Sequence, residues 1–160
     1  MTSPSNQTIL FSVIDPMCSW CWGFRKNHQA LLASLPPEIE HRYILGGLAP
    51  DSDDPMPSET KAYIQSSWQK VGKVTGATFN FAFWDECKPR RSTYPSCRAV
   101  LAAKAQGNDY EEAMIHGIQQ AYYLEAKNPS DQSTLTTIAE NIGLNVALFE
   151  EALNSDELDT

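Results

Sequence analysis

The sequence predicts an α/β fold in which a strand–helix–strand unit leads into a region that is almost wholly helical. Three observations carry this. Residues 8–14, "TILFSVI", are rich in β-branched and aromatic residues and nearly continuous in apolarity, the pattern of a strand covered on both faces. From about Cys18 to Leu35 the apolar spacing changes to three and four, which places Phe24, His28, Leu31, Leu32 and Leu35 on one stripe. A second strand-like run, "EHRYILGG", occupies 40–47. Strand, helix and strand in such close succession make a βαβ unit with parallel strands and a right-handed crossover.

The punctuation between these elements agrees with them. Asp15-Pro16 ends the first strand and starts a turn. Pro36-Pro37 stops the helix, and Gly46-Gly47 breaks the second strand. A Pro/Asp/Ser loop, "APDSDDPMPSE", then opens the helical region. Its first helix is expected over Ser58–Lys73, with Tyr63, Ile64, Trp68 and Val71 apolar. Pro95 reads as an N1 proline opening a helix that runs to Gly107. Further helices are expected over Asp109–Lys127, Asp131–Ile142 and Asn145–Leu153, the second of these ending at Gly143. The division expected is a βαβ part over 1–57 and a helical part over 58–160.

Composition narrows the function classes. With 42% hydrophobic and 20% charged residues, 160 residues suffice for a globular domain with a real core. A formal net charge of −8 argues against a phosphate-backbone partner, so no nucleic acid is expected. The local basic cluster "KPRR", Lys88 to Arg91, reads as a solvated loop. The run "ILFSVI" is too short for a signal sequence or a membrane span, and "MTSPSNQ" before it carries no Lys or Arg, so a cytoplasmic placement without membrane attachment is expected. In a reducing compartment, closely spaced cysteines point to metal binding or catalysis before structural disulfides.

The chemistry concentrates in "DPMCSWCWGF", residues 15–24. A structural zinc site needs a second close pair of ligands, whereas Cys87 and Cys97 have nine residues between them and His28, His41 and His116 are scattered; no metal and no cofactor are expected. Covalent haem needs His after the second Cys, and Trp22 stands there. A Cys18–Cys21 disulfide closes too small a ring to stabilise the fold. A redox pair fits every feature. A strand ending in a tight turn delivers Cys18 to a helix N-terminus, where free N–H groups favour a thiolate. Cys18 is the expected nucleophile, and Cys21, three residues on, is placed to resolve a mixed disulfide. Trp20 and Trp22 offer an apolar rim for a peptide. Ser19-Trp20 brings no imidazole, so only moderate oxidising power is expected, and Arg25 and Lys26 act only at a distance.

Other residues weigh toward structural roles. Cys97 falls in register with Val100 and Leu101 and reads as a buried, inert thiol. Cys87 lies in a charged loop, and spacing does not decide whether it pairs with Cys97. His28 on the apolar stripe reads as a core histidine, and Asp15 as a turn-former accepting backbone hydrogen bonds. The aromatic run "FNFAFW", 79–84, fits a short edge strand or extended loop. It packs in the core or supplies, through Phe83 and Trp84, a wall of the groove above Cys18.

With "DPMCSWCWGF", "LGGLAP" and "FWDECKPRRSTYPSCRAVLAA" in hand, the chain resembles the DsbA family of thioredoxin-fold oxidoreductases, and more narrowly the FrnE-like branch of cytoplasmic predicted protein-disulfide isomerases. The resemblance implies a thioredoxin-like fold of DsbA type with a helical insertion, and a thiol–disulfide oxidoreductase or protein-disulfide isomerase using Cys18 and Cys21. It implies a thiol or disulfide protein or peptide substrate, with glutathione as a further partner. In that family a strand carrying a cis-proline and its hairpin follow the insertion. No proline follows Pro129 here, so the hairpin is missing and the chain looks C-terminally truncated, with an open sheet edge through which copies could associate. Two rivals stand beside this reading. One is a glutathione-linked transferase or isomerase of the same architecture, which usually has Ser in place of Cys18. The other is a non-catalytic peptide-binding module.

Overall fold

The computed structural model describes residues 7–158. Strands β1 (Thr8–Ile14) and β2 (Ile39–Leu45) pair in parallel, in a register running from Thr8 opposite Ile39 to Ile14 opposite Leu45. Helix α1 (Ser19–Ser34) joins them, as the sequence pattern predicts. Among the described residues the sheet holds these two strands, and no peptide bond is cis.

One expectation about β1 fails. Its apolar run suggests burial on both faces, but the helices cover one face only. Ser12 and Ile14, with Tyr43 and Leu45 of β2, face the helical side, where Ile14, Tyr43 and Leu45 pack on the core. The opposite face leaves Val13 65%, Phe11 51% and Ile44 45% exposed. Alternation of side chains along a strand makes this split unavoidable once helices occupy a single side.

The helical region is α2 (Ser58–Thr75), a short α3 (Phe83–Glu86), α4 (Tyr94–Lys104), α5 (Asn108–Tyr123), α6 (Gln132–Asn141) and α7 (Val146–Leu153), closed by a 3-10 turn at Asp156–Leu158. A left-handed Gly76, φ +75°, caps α2 and donates its N–H to the Gly72 carbonyl, the standard use of glycine past a helix end. The run 79–84 is neither strand nor loop alone: Asn80 caps a turn that becomes α3, its Oδ1 accepting from the Ala82 N–H at 3.0 Å. Helix α5 stops four residues before the expected Lys127. Asn80 takes its last carbonyls, donating backbone N–H to Tyr123 and side-chain N–H to Leu124, while Ala126 turns left-handed at φ +53°.

Two cores result. Helices α4 to α7 bury Val100, Met114, Ile118, Leu135 and Phe149 against the sheet. A second, aromatic core gathers Trp68, Phe83, Tyr122 and Tyr123. Met17 and Trp22 pack on this second core, which fixes the first turn of α1. Gly23 permits the approach of α1 to α2, since a Cβ there would lie 2.7 Å from Val71 Cγ1 and 2.9 Å from Thr75 Cγ2.

Candidate active site

The end of β1 and the start of α1 are tied by Asp15. Its backbone carbonyl accepts the Cys18 N–H at 2.9 Å. Its carboxylate, buried at 2% exposure, accepts N–H groups from Met17 at 2.8 Å and from Leu48 at 2.9 Å. The turn-forming role expected of Asp15 is therefore only part of its work: it also anchors the loop after β2 beneath the cysteines. The Cys97 thiol donates to the same carboxylate at 3.7 Å.

Cys18 is the N-cap of α1, in extended conformation (φ −83°, ψ 116°), and no acidic residue lies in the first turn. Its thiol is lowered to about 6, first by the hydrogen bond from the Cys21 side chain, then by the Cys21 and Trp20 backbone N–H groups. Partial burial and the negative charge of Asp15 oppose this. Cys21 moves the other way, well above an ordinary thiol, because its S–H is held by the Cys18 sulfur and burial adds to that. The pair is thus polarised: one thiolate at the helix end, one proton kept on its neighbour.

The remaining cysteines are not part of this chemistry. All four are free thiols. Cys97 is buried, and burial together with Asp15 pushes it up to about 12. Cys87 donates to the Ala126 carbonyl at 3.1 Å, and burial raises it. The two sulfurs face different partners.

The four aromatics expected at the substrate surface separate. Trp20 stays 45% exposed and lines a cavity beside Cys21. Trp22 turns inward, stacked on Tyr123 at 5.5 Å with its Nε1–H donated to the Thr78 carbonyl. Positions two apart on a helix point about 200° apart, so both could not share one rim. Phe83 is 1% exposed beneath Trp68 and Tyr122, which makes it core rather than groove wall. Trp84 packs edge-on against Trp68 and Phe83 in the same cluster.

The cavity beside Cys21 holds about 300 Å³. Its polar wall brings in Ser12 and Gln119, which sequence reasoning passed over, together with Arg25, read there as acting only at a distance, and His116, read there as one of three scattered histidines. His28, expected as a core histidine, is also in this wall. Ser12 Oγ lies 2.8 Å from Nε2 of both His28 and His41, a chain linking α1 to both strands. His41 is lowered by burial and by His28, against the pull of Glu112 and Glu111. His116 is lowered by burial and by Arg25, against Glu112. Gln119 had a signal in the sequence, a polar residue among Met114, Ile118 and Tyr122 on the apolar side of α5. Among the described residues, no group of three or more His, Cys, Asp or Glu could hold a metal ion, and no helix is long and apolar enough to cross a membrane.

A family model described as thioredoxin matches residues 11–159, nearly the whole chain. The chain belongs to the thioredoxin family. The thioredoxin-like fold is also that of solved structures. A protein from Nitrosomonas europaea, provisionally described as a protein disulfide isomerase, matches at 25% identity with a TM-score of 0.84, over 96% of this chain and 74% of that one. The cytosolic disulfide reductase DsbM from Pseudomonas aeruginosa matches at 23% identity and a TM-score of 0.77, over 94% and 73%, and has also been solved with GSH. Among curated relatives, the ClpXP adapter protein SpxH of Bacillus subtilis is 23% identical over 154 residues, covering 95% of this chain and 50% of that protein. The chain spans about half the length of such adapter relatives. The resemblance to DsbA-type thioredoxin-fold proteins, with helices added to a small sheet, holds at the level of fold.

Proposed function

We propose that this thioredoxin-family chain is a thiol–disulfide oxidoreductase working through Cys18 and Cys21. The observation that carries the reading is the placement of Cys18 at the N-cap of α1 with Cys21 three residues on, where the Cys21 S–H and the N–H groups of residues 20 and 21 favour a thiolate on Cys18 and keep the proton on Cys21. In the reducing direction the Cys18 thiolate attacks one sulfur of a substrate disulfide, forming a mixed disulfide and expelling a substrate thiolate. Cys21 then loses its proton and attacks the Cys18 sulfur. The Cys18–Cys21 disulfide forms, the second substrate thiolate leaves, and two electrons have passed to the substrate. A small thiol of the glutathione type returns the pair to the dithiol by the same exchange in reverse, itself becoming a disulfide. The DsbM neighbour solved with GSH supports such a partner. Isomerisation uses only the first step and its reversal on another substrate sulfur.

Cysteine rather than serine at position 18 disfavours the glutathione-transferase reading. A binding role has one observation of its own, the exposed apolar sheet face of Phe11, Val13 and Ile44, and the SpxH relatives are named as adapters. Cys21→Ser separates these readings. An oxidoreductase with this substitution accumulates mixed disulfides on Cys18, seen as reducible adducts by mass spectrometry. No adduct, together with peptide binding that survives Cys18→Ser, would replace the catalytic reading with the binding one.

A further inference from the structure

Charge is spread unevenly over this acidic chain. Helices α1 and α2 together hold five of its twelve Lys and Arg but only one of its twenty Asp and Glu, Glu59 in the first turn of α2. Elsewhere most cations are answered within the protein: Arg42, Arg90, Arg98, Lys104 and Lys127 each meet a carboxylate within 3.0 Å. On α1 and α2, by contrast, Arg25, Lys26, Lys61, Lys70 and Lys73 form no ion pair with any described residue, although Glu112 acts on Arg25 from α5. The two helices pack where Gly23 meets Val71 and Thr75. That contact brings Lys26 beside the end of α2, and the exposed Lys70 and Lys73 stand in its last two turns. A groove of about 280 Å³ separates the helices there, lined by Trp22, Arg25, Lys26, Thr75 and Thr78, with the Arg25 guanidinium lying over the Trp22 ring. Lys26 is about 12 Å along the helix from Cys18.

We propose that this groove and the lysines at its rim dock an acid-rich segment of the polypeptide that carries the substrate disulfide. Carboxylates of that segment pair with Lys26, Lys70 and Lys73. The proposal rests on the oxidoreductase reading of Cys18 and Cys21 and names a substrate class for it. At about 0.1 M salt, exposed charges act over about 10 Å. A short acidic segment therefore feels the two helices alone. A membrane surface or a nucleic acid would also meet the negative charge of the rest of the chain, which leaves a formal net charge of −8. Each exposed pair contributes little and weakens with salt, so the groove biases which disulfides reach Cys18 rather than gripping them.

The test uses three short peptides, each closed by one internal disulfide and alike except that the flanking residues are Glu, Gln or Lys. The pre-reduced chain reacts with each in single turnover. Each rate is divided by that of 2-mercaptoethanol on the same peptide, which removes the effect of the flanking charges on the disulfide itself. At about 10 mM ionic strength the Glu peptide should react about five- to twentyfold faster than the Lys peptide, the size of two or three exposed ion pairs. At about 0.15 M the ratio should shrink toward one. Lys26→Gln combined with Lys70→Gln should at least halve the low-salt ratio. Lys88→Gln combined with Arg91→Gln removes the same charge from an exposed loop and should keep the ratio. An equal fall in both variants assigns the preference to net charge and overturns the proposal. A wild type that reduces all three peptides alike also overturns it and leaves the redox reading intact. Co-sedimentation with phosphatidylserine vesicles in place of a peptide preference would overturn it in favour of a lipid surface. A wild-type chain inert toward all three peptides would overturn the parent reading, and this one with it.

Discussion

Replacing Cys21 by Ala tests the physical cause of the Cys18 thiolate. At a value of about 6, roughly nine-tenths of Cys18 is thiolate at pH 7, against about 3% for an ordinary thiol near 8.5. The leading cause is the Cys21 S–H donating to the Cys18 sulfur; backbone N–H groups of residues 20 and 21 come after it. Alanine removes the first and keeps the others, while burial and Asp15 still push upward. The Cys18 thiol of Cys21→Ala should therefore titrate above about 7, leaving half or less of it as thiolate at neutral pH. Cys21→Ser keeps a hydroxyl donor and should fall between Ala and wild type. The assay is thiolate ultraviolet absorbance against pH on the reduced protein. Alkylation rates are a poorer readout, because nucleophilicity rises with thiol pKa and offsets part of the lost thiolate. A Cys21→Ala protein still titrating near 6 would refute the reasoning and assign the effect to the helix end alone.

Other substitutions probe the supports of the site. Asp15→Asn removes the charge that opposes the thiolate, so Cys18 should titrate below wild type; an upward move in the same absorbance titration would contradict the sign. Asp15→Ala leaves the Met17 and Leu48 N–H groups unpaired and should cost about 2–4 kcal/mol, read from the urea midpoint, with no change expected only if another acceptor takes over. Gly23→Ala drives a methyl into Val71 and Thr75 and should destabilise by about 1–3 kcal/mol in the same assay. His41 and His116 are both lowered in the fold, so each favours folding fully above the unfolded histidine value and loses that contribution as pH falls below about 6.5. Melting temperature should drop from pH 7 to pH 5, and His41→Gln should flatten the drop; an unaltered profile would assign it elsewhere. The exposed face of Phe11, Val13 and Ile44 should drive concentration-dependent association, weakened by Val13→Lys in sedimentation velocity.

The parts legible in the sequence are those set by local rules. The βαβ order followed from periodicity and from Pro36-Pro37, and the place of Cys18 followed from a strand run into a helix start. Helix ends were harder where a distant side chain decides them. Asn80 ends α5 from across the chain, and no local signal at Leu124 announces it. The fate of Trp22, Phe83 and Trp84 was equally non-local, because a bulky aromatic suits a core and a groove alike until the partners Trp68 and Tyr123 are placed. The burial of β1 was overread, since an apolar run records what a strand could cover and not what covers it. Gln119 was overlooked for a related reason: its burial in the wall beside Cys21 is visible only after the surrounding side chains are in position.

The central claim is that Cys18 and Cys21 act as one redox couple, and its most direct test is the equilibrium of the pair in glutathione buffers of graded ratio, with each cysteine's state read by mass after acid quenching. The account predicts one two-electron transition in which Cys18 and Cys21 lose their thiols together while Cys97 stays reduced, and its abolition by Cys21→Ser. Independent, one-at-a-time glutathione adducts on Cys18 and Cys21, with no internal disulfide at any ratio, would contradict it.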